Sequence, residues 1–244
     1  MKIKQHLPSI FTLINLFLGF LAIINIMKNN YIPACYIILA AGAFDSIDGK
    51  LARLIGIPTN FGKEIDSLAD MVSFCLAPSI LVYSLYTQDM PGISGELIAS
   101  VPLIIGAIRL ARFNINQENE SPVDFIGLPT PMNALSIASL VLFIENIKID
   151  NPQYSEPRLL LPLILSISYL MVSRISFAKF PVLKFSLNKK NTLRLLGILV
   201  FVVTFIISIF IGDSYKILAS FVSFYIVSSI FKHFIKLGNI STTN

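Results

Sequence analysis

The feature that most restricts this chain is a repeated one. Eight apolar runs are centred near Leu18, Leu39, Leu76, Ile105, Leu140, Leu165, Val203 and Phe224, and each approaches the roughly 20 residues that a helix needs to cross a hydrocarbon core. Inside a bilayer the backbone must satisfy its own hydrogen bonds, so runs of this length form helices. A membrane barrel would show shorter segments of alternating polarity, and strands are not expected. Only 14% of the residues are charged while 55% are hydrophobic, whereas soluble domains carry about 25% charge. The expected fold is all-α: a polytopic membrane helical bundle of about eight transmembrane helices. The first run follows Lys2 and Lys4 but shows no small-residue cleavage site and is followed by further spans, so it is expected to remain as the first helix. Cys35 and Cys75 lie in apolar runs, where a thiol packs as a small hydrophobe. The net charge of +5 suits contact with anionic lipid and requires no nucleic acid.

Basic residues orient the bundle. With an even number of spans and a cytoplasmic amino terminus, only Lys28, Lys148, Arg158 and Lys216 of the 19 lysines and arginines fall outside. The remainder gather on the inner side, the asymmetry that sets membrane topology. Both termini are therefore expected in the cytoplasm. The longest basic connection, from Arg174 to Arg194, reads either as a topology signal touching lipid headgroups or as an attractor of anionic substrate. The chain is expected to form one membrane domain over residues 1–244, with no internal repeat or soluble appendage. Its less specific C-terminal helices lie at about 158–236.

One stretch breaks the apolar pattern. Residues 45–70 read DSIDGKLARLIGIPTNFGKEIDSLAD and join the second run to the third near a membrane face. Asp45 and Asp48 are three apart and Asp66 and Asp70 four apart, so each pair shares one helix face. Gly56 and Pro58 interrupt the helix and let the chain reverse. Two acidic helix ends would then face one another as a four-carboxylate cage. Such a cage in low dielectric must take up protons or hold cations, and oxygen ligation without His or Cys favours hard ions such as Mg²⁺, Mn²⁺ or Ca²⁺. Gly49 permits close backbone approach, and the planar fork of Arg53 suits a phosphate.

The same stretch resembles the signature of the CDP-alcohol phosphotransferases, D-x2-D-G-x2-A-R-x8-G-x3-D-x3-D, at every fixed position: Asp45, Asp48, Gly49, Ala52, Arg53, Gly62, Asp66 and Asp70. The segments LPSIFTLINLFLGFLAI at the start, RLARFN at 109–114 and FIGLPTP at 125–131 are similar to the branch formed by the integral-membrane phosphatidylserine synthases. Ser9 stands where that branch usually has asparagine. The resemblance implies two divalent ions, Mg²⁺ or Mn²⁺, held by Asp45, Asp48, Asp66 and Asp70. It further implies a CDP-diacylglycerol site at Gly49, Arg53 and Thr59 with Ser9 and Thr12 nearby, Asp70 as general base, and a homodimer.

Chemistry and resemblance agree on the reaction class. Phosphoryl transfer depends chiefly on electrostatic stabilisation of the spreading charge. CMP leaves readily, whereas an acceptor hydroxyl needs a positioned carboxylate to take its proton. No activated Ser, Cys or His nucleophile is evident, so the expected reaction is a direct in-line displacement. A serine acceptor requires a cation for its carboxylate. Arg109 and Arg112, with Asn114 just beyond, meet that requirement or else anchor a helix end by snorkelling; the resemblance favours the first. Lys63 binds a headgroup or phosphate, or marks the inner face. Asn15, a polar amide within the first span, contacts the substrate or cage, or else bonds to a neighbouring helix. The expected acceptor is L-serine. Sister enzymes that use glycerol 3-phosphate or inositol phosphate call for a denser basic pocket, and a cation transporter calls for carboxylates near the membrane midplane and paired repeats.

Overall fold

The computed structural model describes residues 3–55, 60–116, 125–151, 157–178 and 189–241. Each of the eight apolar centres lies in a helical rod. Helices α1 (Ile3–Met27) and α2 (Tyr31–Ile55) form an antiparallel pair. The third rod begins as α3 (Asn60–Asp70), widens into π-type turns over Met71–Leu76, returns to regular helix as α4 (Ala77–Val82) and widens again over Tyr83–Thr87. The fourth consists of α5 (Ser94–Ala99) and α6 (Val101–Asn116). The remaining rods are α7 (Thr130–Asp150), α8 (Leu161–Leu170), α9 (Lys189–Ile211) and α10 (Ser214–Ser241).

Among the described residues, five stretches are long and apolar enough to cross a bilayer: Ile10–Met27, Phe61–Thr87, Ser94–Ile115, Thr130–Lys148 and Ser214–Ile235. Tyr31–Ile47, Leu161–Leu170 and Leu195–Ile211 are shorter apolar helices. The sixth rod departs most from a full-length span. It opens with a single 3₁₀ turn at Pro157–Leu160 and α8 ends at Leu170. Beyond that point the chain turns, with Ser173 Oγ donating to the Leu170 carbonyl at 2.8 Å, a local side-chain bond that competes with helix continuation.

A second departure is a small strand pair. β1 (Phe125–Ile126) and β2 (Ser176–Phe177) are antiparallel, with Phe125 opposite Phe177 and Ile126 opposite Ser176. Two residues per strand are too few to read from any alternation in the sequence. Their consequence is topological, because the ladder ties the α6–α7 connection to the α8–α9 connection at one end of the bundle. The opposite end carries the α1–α2 and α9–α10 connections: Tyr36 near the start of α2 bonds Ser214 at the start of α10 at 2.7 Å, and the Phe143 and Tyr215 rings lie 6.0 Å apart. The described rods thus alternate in direction.

The main core joins Ile26, Ile38, Phe74, Leu81, Ile137, Leu142 and Ile164, which come from the first three rods, α7 and α8. A smaller core around Leu128, Met171, Phe177, Val222 and Ile226 seals the strand pair against α10. Tyr225 of α10 adds a hydrogen bond from its hydroxyl to the Ala178 carbonyl at 3.2 Å. Large apolar side chains such as Phe210 and Phe224 point outward, as expected of helices solvated by lipid.

Gly127 carries the turn from β1 into α7. Its φ is +78°, and a Cβ there would collide with the Met171 carbonyl oxygen. Both facts demand glycine. Gly127→Ala should cost about 1–3 kcal/mol, measured as a lowered midpoint of thermal denaturation in detergent; an unchanged midpoint would show that this turn is not under constraint.

Candidate active site

The acidic residues meet at the end of the bundle that carries the strand pair. Asp45 lies in the C-terminal half of α2, and Asp66 and Asp70 lie one turn apart on α3. Each offers an oxygen within 4.8 Å of those of the other two. Asp48 comes one turn after Asp45 on the same helix, but its side chain lies outside the described residues, as do those of Gly49, Arg53 and Ser9. Thr59 lies wholly outside them.

Asp70 is the innermost member. Its Oδ2 accepts a hydrogen bond from Thr130 Oγ1 at 3.4 Å, and its Oδ1 is buried without a hydrogen-bond partner. Thr130 is buried in the first turn of α7, where Pro129 and Pro131 set the helix entry. Three clustered carboxylates, the innermost with a buried oxygen that has no hydrogen-bond partner, fit hard divalent ions, because oxygen ligands suit such ions and a buried anionic oxygen is costly when left unbonded.

The structure separates the two arginines of the fourth rod. Arg109 is only 9% exposed, its Nε is buried without a partner, and its charge faces Asp70, Cys75 and Tyr225. Arg112, almost a turn further along α6, is exposed. Only the latter has the setting of a snorkelling anchor. Asn114 is already engaged: its Nδ2 donates to Ser67 Oγ at 2.9 Å and so ties the end of α6 to α3. Lys63 is exposed on α3.

Within α1, Thr12 and Asn15 are both buried. The Asn15 side chain makes no bond to a neighbouring helix, since Oδ1 and Nδ2 are both without hydrogen-bond partners; its backbone carbonyl accepts instead from Ser73 Oγ at 2.9 Å. Ser67, Ser73 and Thr130 escaped the reading of single residues. Thr130 alone had a signal, its place within FIGLPTP at 125–131.

These features define a polytopic membrane protein with a carboxylate cluster at one end of its helices, beside a buried guanidinium. The chain belongs to the CDP-alcohol phosphatidyltransferase family, which it matches over residues 5–178. It is similar to a CDP-diacylglycerol--serine O-phosphatidyltransferase of Helicobacter pylori, 35% identical over 185 residues, covering 74% of this chain and 75% of that protein. A Bacillus subtilis protein of the same name is 35% identical over 176 residues, covering 72% of this chain and 92% of its own. An archaetidylserine synthase of Methanothermobacter thermautotrophicus is 37% identical over 138 residues, covering 56% and 58% respectively.

Removing one carboxylate from a cluster this small should be felt directly by the ion. Asp66→Asn is expected to weaken Mn²⁺ binding to the purified protein about tenfold or more, followed by electron paramagnetic resonance titration. Wild-type affinity in that variant would exclude Asp66 as a ligand.

Proposed function

We propose that this protein transfers the phosphatidyl group of CDP-diacylglycerol to the hydroxyl of L-serine, giving phosphatidylserine and CMP. The observation that carries the acceptor is Arg109, a buried cation with an unpartnered donor facing the deepest carboxylate of the cluster. A buried guanidinium suits the single carboxylate of an amino acid, whereas a phosphorylated acceptor would call for more charge. The names of the relatives support the same choice.

Asp45, Asp48, Asp66 and Asp70 would hold two divalent ions, Mg²⁺ or Mn²⁺. When bound, these ions neutralise the diphosphate and stabilise the charge that spreads as the bond to CMP breaks. The protein's own groups do the remainder. Gly49, Arg53 and Thr59, with Ser9 and Thr12 of α1, bind the CDP-diacylglycerol and align its diphosphate. Arg109 takes the serine carboxylate and Asn15 adds a polar contact, while Lys63 and Arg112 at the exposed rim attract anionic substrates. Asn114 acts through Ser67, keeping α6 and α3 in register.

Asp70 accepts the proton of the serine hydroxyl as its oxygen attacks the phosphorus that bears the diacylglycerol. The bond from that phosphorus to the CMP oxygen breaks in line, and CMP departs as the phosphate anion. The Thr130 hydroxyl holds Oδ2 of Asp70 and leaves Oδ1 free of any other hydrogen bond. The cluster faces the cytoplasm, where serine and Mg²⁺ are supplied, both termini lie on that side, and residues 1–244 form one domain that assembles as a homodimer.

Purified protein in detergent, given CDP-diacylglycerol and Mn²⁺, should release CMP with L-serine and not with glycerol 3-phosphate or inositol 1-phosphate. Asp70→Asn should abolish turnover. Release only with a phosphorylated acceptor would overturn the assignment of serine. Arg109→Ala should raise KM for serine about tenfold or more, the scale of a lost charge-assisted hydrogen bond; an unchanged KM would remove Arg109 from the acceptor site.

A further inference from the structure

Asp70 stands at a change in helix type. It is the last residue of α3, and the chain widens into π-type turns immediately after it, over Met71–Leu76. A widened turn rotates the helix on its C-terminal side relative to the helix on its N-terminal side, and such turns recur at functional sites. The aim of the Asp70 carboxylate therefore depends on how this segment is held.

Three helices grip it. Ser73 Oγ donates to the Asn15 carbonyl of α1 at 2.9 Å, and a Cβ on Gly19 would fall on that same hydroxyl and 2.8 Å from Ser73 Cα. Phe74 faces Gly42 of α2, where a Cβ would come to 3.8 Å from the ring. Cys75 Sγ occupies the space that a Cβ on Gly106 of α6 would need. Ser73, Phe74 and Cys75 are all buried. Three of these contacts are steric and one is directional. Only the Ser73 bond fixes both a rotation and a distance, and its acceptor belongs to Asn15, whose buried side-chain amide has no partner.

We infer that Ser73 is a positioning residue for the transfer reaction: by bonding to α1 it sets the rotation of the widened turn, and so the aim of Asp70 into the carboxylate cluster. Its kinetic part rests on the function proposed above. Because the Ser73 hydroxyl is spent on the Asn15 carbonyl and has no part in the substrate or ion sites proposed above, its loss should alter the reacting geometry more than substrate binding. Misplacing a reacting group by a fraction of an ångström to one ångström costs about tenfold to a hundredfold in rate.

The test compares Ser73→Ala with Ser136→Ala, which deletes another buried serine hydroxyl, bonded to the Met132 carbonyl at 2.6 Å within α7. Thermal midpoint, kcat, KM for both substrates and Mn²⁺ affinity by electron paramagnetic resonance are measured for each. Ser73→Ala should lose about tenfold in kcat and about threefold in Mn²⁺ affinity, with both KM values within about twofold; Ser136→Ala should match wild type. Wild-type kcat and Mn²⁺ affinity in Ser73→Ala, or equal losses in Ser136→Ala, would overturn the inference.

Should Ser73→Ala fail to fold, Gly106→Ala disturbs the same segment through Cys75. Adding Cys75→Ala removes the crowding sulfur and leaves a 3.1 Å contact to Cβ. Recovery of Mn²⁺ affinity in the double variant supports the role of the segment, and absence of recovery overturns it. If the wild-type protein released no CMP with serine, the proposed function would fail, while the Mn²⁺ titrations would still decide the role of Ser73.

Discussion

Mutual repulsion among carboxylates governs this structure. Asp45, Asp66 and Asp70 bring oxygens within 4.8 Å of one another at the end of a bundle otherwise made of apolar helices. Such an arrangement is unfavourable unless protons or positive charge offset it, because the surrounding protein and lipid screen charge poorly. The bundle must therefore hold α2 and α3 together against their own electrostatics. It does so with the extensive packing of α1 on α2, the Asn114–Ser67 bond between α6 and α3, and the Thr130–Asp70 bond from α7. The cluster is held from outside.

The position of the cluster at one end has the same physical origin. An uncompensated carboxylate is costly near the bilayer centre, whereas the end of a helix offers water, ions and headgroups. Asp66 and Asp70 lie on α3, before the widened turn, and the apolar remainder of that rod from Met71 to Thr87 enters the bundle. One rod thus carries carboxylates at one end and serves as core at the other. The change between the two functions falls at the π-type turn, where Ser73, Phe74 and Cys75 meet α1, α2 and α6.

The last two helices have a different character. The family match ends at residue 178, before α9 and α10. α9 exposes most of its apolar side chains, including Leu196, Val203 and Phe210, and Phe201 stacks on Phe221 of α10 at 3.9 Å. α10 reaches further inward. Val222 and Ile226 seal the smaller core, and the Tyr225 hydroxyl fastens the chain just after β2. Through the strand pair that fastening reaches Gly127 and the α7 entry that carries Thr130.

Much of this protein could be read from order and spacing alone. The eight apolar runs specify helices because a bilayer leaves no alternative, and the 45–70 signature places its carboxylates on helix faces because a helix repeats every 3.6 residues. The short α8 and the two-residue strand pair were not legible, since both depend on a turn at Leu170–Ile175 that closes against Gly127. Nor could spacing separate Arg109 from Arg112. They differ by three positions on one helix, and only the packing of that helix against the Met71–Leu76 segment and its neighbours decides that one is buried with its charge toward Asp70 and the other is exposed. The same holds for Asn114, Ser73 and Thr130, whose partners lie 47, 58 and 60 residues away. Local periodicity determines which residues share a face, but which faces meet is decided by the packing of whole helices, and that is where the sequence taken by itself stops.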